Sequence, residues 1–190
     1  MTAFRVLFVC TANHCRSPIA EQLLRYAATQ QFGSPDAWVV ESAGTDIPGP
    51  WPLHEFAAAA LAERIPAVSA HVSKSLDAAA IARADLVLTG SRRHRSSVVS
   101  NAPAAIGRTF TILQFARLCQ AVPPITGADP AELGRQLIAE AKSARSTLQP
   151  VPGELDDLPD PIGQPLSEFR LCAERIQDAV DAMLRPLTLG

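Results

Sequence analysis

The sequence predicts a doubly wound α/β fold: a central parallel sheet of about four strands, flanked by helices on both faces. Two observations carry this. The runs FRVLFV (4–9) and ADLVLTG (84–90) are short, apolar and β-branched without polar alternation, which suits strands buried on both faces of a parallel sheet. Each is followed by a turn and then by a stretch of helical character, and strands alternating with helices build right-handed crossovers around one sheet.

Each element follows in order. In RSPIAEQLLRYAATQQ (16–31), Ser17 is placed to cap a helix, Pro18 suits its first position, and apolar residues fall at 19, 20, 23, 24 and 27. WVVESAG (38–44) is expected as a strand and turn, LHEFAAAALAERI (53–65) as a helix, and SRRHRSSVVS (91–100) as the helix after the 84–90 strand. TFTIL (109–113) is expected as a further short strand, and LSEFRLCAERIQDAVDAMLRPL (166–187) as a long amphipathic helix. Between Cys119 and Asp160 the pattern changes, with prolines at 123, 124, 130, 150, 152, 159 and 161 around one helical stretch, 129–148. That segment is too short for a core of its own. Residues 1–190 are therefore expected as a single domain with a helical, proline-flanked insertion at about 120–155.

Composition narrows the function classes. Hydrophobic residues at 47% and charged residues at 19% fit a globule with a sizeable core, not a disordered chain. A net charge of -2 gives no reason to expect nucleic acid as partner, since such binding needs clustered Lys and Arg. The one basic cluster, SRRHRSS (91–97), reads as the solvated first turn of a surface helix. No apolar run is long enough for a membrane span and no leader pattern stands at the N-terminus, so the expectation is a cytoplasmic protein, by default a monomer. Cys10, Cys15, Cys119 and Cys172 are irregularly spaced and are expected as reduced thiols.

The chemistry concentrates in VCTANHCRSP (9–18), which lies where the first strand feeds a helix. In a doubly wound sheet, ligands sit beyond the carboxyl ends of the strands, where unpaired N–H groups and the helix dipole favour an anion. There is no glycine before Gly33 and no G-x-x-x-x-G-K-[ST], so neither common nucleotide loop is present. Cys10, five residues (Thr11, Ala12, Asn13, His14, Cys15) and Arg16 remain. Such a loop can turn its N–H groups on one centre, and Arg16 can close it with a fork of donors matching two phosphoryl oxygens. The expectation is a phosphate-binding loop after strand 1, with Cys10 beneath the phosphorus as a thiolate favoured by those donors and Ser17. A zinc site of Cys10, His14 and Cys15 lacks a paired second half, and a purely structural pair of cysteines leaves Arg-Ser-Pro unexplained.

VLFVCTANHCRSPIAEQLL closely resembles the signature of the low-molecular-weight protein tyrosine phosphatases, in which a C-x5-R-S loop follows the first strand. ESAGT (41–45), His71, ADLVLTGSRRHRSSV (84–98) and LPDPIG (158–163) resemble further family segments in order, covering most of 4–118 and 156–187. The resemblance implies Cys10 as nucleophile, Arg16 as phosphate clamp and Asp160 as general acid and base, and it implies neither cofactor nor metal. Residues 11–17 would bind the phosphate or another oxyanion, Asn13, Ser17, Ser42 and His71 would support the loop, and Cys15 would pair with Cys10 under oxidants. Asp156 and Asp157 could replace Asp160 on spacing alone, and the family's Asp-Pro selects Asp160.

The implied function is a phosphomonoester hydrolase acting through phosphocysteine, with a phosphotyrosine protein as the first substrate. The alternatives are a protein-arginine phosphatase of the same fold, a thiol-dependent arsenate reductase relaying through Cys119 or Cys172, and a non-enzymatic phosphate-binding module. There are three departures from the family pattern: Ala12 replaces the commoner glycine, His14 is neither hydrophobic nor small, and Ile162 and Gly163 stand where tyrosines often follow the Asp-Pro. Trp51 is a candidate for the missing aromatic wall.

Overall fold

The computed structural model describes residues 3–190; the first two residues of the expected domain lie outside it. Strand β1 (Phe4–Cys10) is the centre of a four-stranded parallel sheet. It pairs on one side with β2 (Trp38–Gly44), from Phe4 opposite Trp38 to Cys10 opposite Gly44. On its other side lies β3 (Leu86–Thr89), which in turn pairs with β4 (Thr109–Thr111), giving the order β2-β1-β3-β4. The chain leaves β1 in one direction for β2 and returns beyond it for β3, so the winding reverses between β1 and β3. A cleft opens at such a reversal, beyond the strands' carboxyl ends. Cys10 ends β1 there, and Gly90 follows β3 with its N–H on Val9 O at 2.8 Å.

The alternating strand residues supply two cores. Phe4, Val6, Phe8, Leu86 and Leu88 face one layer, whereas Leu7, Val9 and Val87 face the other. The larger layer holds α1 (Arg16–Phe32), α2 (Glu55–Ala62), α5 (Ile112–Cys119), α6 (Pro130–Thr147) and α7 (Leu166–Leu184). The smaller holds α3 (Ala78–Arg83) and α4 (Arg92–Asn101). Both faces are covered, as the doubly wound prediction requires.

Several boundaries differ from expectation, each for a local reason. Helix α1 begins at Arg16 with Cys15 as its N-cap, not Ser17, and no side chain caps it. Ser17 therefore lies inside the first turn, its hydroxyl engaged elsewhere, and the leading N–H groups carry no side-chain acceptor. At the far end, Gly33 adopts φ 71 and closes the helix with its N–H on Thr29 O at 2.9 Å. Helix α2 is shorter than 53–65 because His54, not a residue before it, caps it through Nδ1 to Phe56 N–H at 3.1 Å. The strand expected at 109–113 stops at Thr111, whose hydroxyl accepts from Gln114 N–H at 3.1 Å and starts α5. The last helix ends at Leu184; beyond it β6 (Leu187–Leu189) pairs with β5 (Ile125–Gly127) in a second, two-stranded parallel sheet that no pattern in the sequence announces.

The segment 120–155 joins the main core. Ala131, Leu133, Leu137 and Ala141 of α6 belong to the same cluster as Phe4 and Phe8. Trp38 Nε1 donates to Pro130 O at 2.8 Å, and Gly134 lies against the Phe4 ring. These contacts fall at the start of β1 and β2, the end opposite Cys10, so α6 braces the base of the sheet. The chain then returns past α5, where Arg117 pairs with Asp156 at 3.0 Å, and Leu158 N–H reaches Gly90 O at 2.9 Å. That return carries Asp160 to the carboxyl end of the sheet.

Candidate active site

Residues 10–16 wrap one end of a cleft of about 200 Å³ lined by Cys10, Thr11, Ala12, His14, Cys15, Arg16, Trp51, Asp160 and Ile162. The loop turns at Asn13, whose φ of 51 is the one left-handed value among the described non-glycine residues. Asparagine tolerates that region better than most side chains. Ala12 therefore needs no positive φ, and the lost glycine costs the loop no such strain. Gly44 is needed at close quarters instead: a Cβ there would meet Thr11 O at 2.5 Å.

Asn13 is fully buried and holds the loop from inside. Its Nδ2 donates to Ser17 Oγ at 2.9 Å and to Ser42 Oγ at 2.8 Å, while its Oδ1 accepts from Lys74 N–H at 2.8 Å. Its backbone carbonyl accepts from His71 Nε2 at 2.8 Å, and Ser42 Oγ donates onward to Glu21 Oε2 at 2.5 Å. A buried polar network satisfied this fully is stiff. The four residues expected to support the loop, Asn13, Ser17, Ser42 and His71, are thus in one network. Glu21 and the Lys74 N–H complete it.

Cys10 Sγ is buried and lies 2.9 Å from Ser17 Oγ. Ser17 accepts from Asn13, so its own proton has two acceptors in reach, Cys10 Sγ and, at 3.5 Å, Ala43 O. Cys15 points into the large apolar core. Burial and the neighbouring Cys10 push its thiol up, so Cys15 stays protonated. His14 turns to the opposite wall, where Nδ1 donates to Pro52 O at 2.5 Å and the ring lies 5.2 Å from that of Trp51. Cys10, Cys15 and His14 thus serve three different surroundings, not one metal.

Arg16 is buried, with its guanidinium aimed along the cleft: Nη1 donates to Leu158 O at 3.3 Å, and Nη2 to Thr11 Oγ1 at 3.4 Å and to Asp160 Oδ2. Asp160 is 47% exposed on its side chain, so it faces both Arg16 and the open mouth. The other acids are occupied elsewhere. Asp156 pairs with Arg117, and Asp157 accepts from Arg92 N–H at 2.7 Å. Of the three acids that sequence spacing left open, Asp160 is the one in contact with Arg16.

One polar residue at the site was not singled out by sequence. His94, read as part of a solvated basic turn, is 5% exposed, with Nε2 at 2.9 Å from Thr11 Oγ1 and Nδ1 at 2.8 Å from Ser91 Oγ. Burial, aided by the Arg16 guanidinium, lowers its pKa to about 4. The available signal was the S-x-x-H spacing just after a buried strand, which puts a helix's third residue back over its own cap.

Cys10 and the buried Arg16 thus line one cleft at the carboxyl end of a doubly wound sheet, the place where such folds bind ligands. The family model for low molecular weight phosphotyrosine protein phosphatase matches residues 5–140, and the chain belongs to that family. It is 26% identical over 184 residues to a protein-arginine-phosphatase of Geobacillus stearothermophilus, covering 97% of this chain and 96% of that one. The low molecular weight protein-tyrosine-phosphatase Ptp of Acinetobacter johnsonii is 33% identical over 108 residues, 56% of this chain and 70% of that protein. Among solved structures, a low molecular weight protein tyrosine phosphatase from T. tengcongensis superposes with a TM-score of 0.70 at 29% identity, covering 96% of this chain and 99% of the other.

Proposed function

We propose that this phosphatase acts on phosphotyrosine in proteins, with Cys10 as nucleophile, Arg16 as phosphate clamp and Asp160 as the proton donor and acceptor. The observation that carries the reading is one cleft in which these three side chains share walls with His14, Trp51 and Ile162. The charged groups meet a phosphoryl group at the base. The flat rings and Ile162 meet an aryl group above it.

In the first step the Cys10 thiolate attacks phosphorus in line with the leaving oxygen, while Arg16 and the loop N–H groups hold the equatorial oxygens. The S–P bond forms, the P–O bond to the side chain breaks, and Asp160 donates its proton to the departing oxygen. In the second step Asp160 takes a proton from water, whose oxygen displaces Cys10 and releases phosphate. Ser17 donates to the sulfur whenever it is a thiolate. The reading includes Cys15 as an oxidative partner of Cys10: once its side chain turns from the apolar core, a peroxide would take two electrons from the Cys10 thiolate and the Cys15 thiol, the Cys15 proton would leave on the peroxide oxygens, and an S–S bond would form.

A phosphoarginine protein is the second reading, favoured by the similarity to the Geobacillus protein-arginine-phosphatase over 97% of this chain. The arsenate-reductase relay has less support. Cys119 and Cys172 are buried, and burial raises both thiols, Cys172 to about 12. We further propose a monomeric cytoplasmic enzyme built as one domain, in which 120–155 is structural. The core shared by α6 and β1 supports the last point, and among the described residues no helix is long and apolar enough to cross a membrane.

Purified protein should hydrolyse an aryl phosphate in the presence of chelator, and Cys10→Ser should abolish turnover. Peptides carrying phosphotyrosine, phosphoarginine or phosphoserine then order the substrates by kcat/KM. Phosphotyrosine should lead. A preference for phosphoarginine would transfer the assignment to the second reading, and turnover in Cys10→Ser would overturn the mechanism.

A further inference from the structure

We infer that His94 is a positioning residue of the phosphoryl site: its imidazole turns the Thr11 hydroxyl so that Thr11 donates its proton to a phosphoryl oxygen in the cleft. The inference rests on the reading that residues 10–16 bind the phosphoryl group.

The argument is a count of protons along a short chain of contacts. Ser91 caps α4, accepting the His94 backbone N–H at 3.4 Å, and its remaining protein partner is His94 Nδ1 at 2.8 Å. The hydroxyl proton of Ser91 therefore points at Nδ1, which accepts. A neutral imidazole carries one N–H, so it lies on Nε2 and is donated to Thr11 Oγ1, 2.9 Å away. Thr11 also receives an N–H from Arg16 Nη2 at 3.4 Å, and a guanidinium can only donate. Both lone pairs of the Thr11 oxygen are then filled. Its proton is left to the remaining tetrahedral direction, and Thr11 lines the same cleft as Cys10 and Arg16.

The opposite tautomer is poorer. With the proton on Nδ1, Ser91 would accept twice and lose the one acceptor its own proton has among the described residues, and Thr11 would spend its proton on Nε2. Neutrality itself follows from the surroundings. The ring is buried beside the Arg16 guanidinium, with Arg93 also opposing a positive charge, and these outweigh the attraction of Asp160 and Asp157. A hydroxyl aimed in advance needs no reorganisation as charge develops on the equatorial oxygens.

The test compares variants that differ at one nitrogen position. A glutamine amide nitrogen reaches the place of Nε2, whereas that of asparagine reaches only the place of Nδ1. Thr11→Val and His94→Asn should each lower kcat for an aryl phosphate about tenfold or more, the range for a lost hydrogen bond to a charged group, and weaken inhibition by inorganic phosphate in parallel. Thr11→Ser and His94→Gln should stay within about threefold of the parent, and the His94→Asn/Thr11→Val double variant should be no slower than Thr11→Val. Parent-like kcat in Thr11→Val, equal loss in His94→Gln and His94→Asn, or losses that multiply in the double variant would overturn the inference. Cys10→Ser, assayed alongside, separates this from failure of the underlying site. If it is inactive while Thr11→Val is parent-like, the loop reading stands and the His94 inference alone falls.

Discussion

Asn13 and Arg16 divide the work of the loop between its inner and outer sides. Asn13 faces inward and bonds through its side-chain amide and backbone carbonyl to Ser17, Ser42, Lys74 and His71, so the turn at φ 51 is held by groups from α1, β2 and the 71–74 segment. Arg16 faces the cleft and is braced by Leu158 O and Thr11 Oγ1, leaving its guanidinium plane already aimed before any oxyanion arrives. Asp160 differs from both because it is half open to solvent and, among the described residues, is tied back by Ile162 N–H on Oδ1 at 3.2 Å and by Arg16. In the proposed role of proton donor to the leaving oxygen, it would matter most when that oxygen is a poor leaving group. Asp160→Asn should lower kcat about a hundredfold for an alkyl or weakly acidic aryl phosphate and much less for a nitro-substituted aryl phosphate. A series of leaving groups reads this out, and an equal loss across the series would remove Asp160 from the role.

Among the elements, α6 has an inward face rich in small residues and meets β1 at its first residue. A Cβ on Gly134 would lie 2.7 Å from the Phe4 ring, so even alanine forces the ring or the helix to move. Phe4 is fully buried, and its ring lies 4.7 Å from that of Trp38 at a tilt of 51°, which limits how far it can yield. Gly134→Ala should therefore cost about 1–3 kcal/mol in chemical denaturation, the range for overpacking. Turnover of the folded protein should hardly change, because this contact is at the opposite end of β1 from Cys10. A large fall in kcat with unaltered stability would instead make α6 part of the cleft's machinery.

For the whole molecule, the depressed His94 pKa couples stability to acidity. The unfolded chain holds this imidazole at its ordinary 6.5, whereas in the fold it stays neutral to about 4. Between those values the unfolded state binds more protons, so stability falls as pH drops from 6.5 to 4. The contribution is on the order of 3 kcal/mol over that window. Denaturant midpoints measured from pH 7 to 4 should fall less steeply in His94→Gln than in the parent, and parallel slopes would contradict a buried neutral imidazole.

What could be read without the tertiary structure was local or periodic. The all-apolar runs at 4–9 and 84–90, the helical spacing after Cys10 and the five residues between Cys10 and Arg16 depend on neighbours in sequence, and all appear where expected, with ends shifted by a residue or two. The strands β5 and β6 were not legible because three-residue segments carry no period, and they exist only because α7 returns Leu187 beside Ile125. Ile112 and Leu113, the first two residues of α5, read as strand in the sequence because a cap hydroxyl, Thr111, sits in the middle of an apolar run. At the site, the sequence by itself determined the cysteine, the arginine and the turn between them. Only the tertiary structure decided which of three acids faces Arg16, that Trp51 stands beside His14, and that His94 lies buried on Thr11 and not in solvent. The physical reason is the same for all three: these partners are brought together by sheet order and by the return of the 148–160 segment, so their contacts span from 37 to 144 residues of chain.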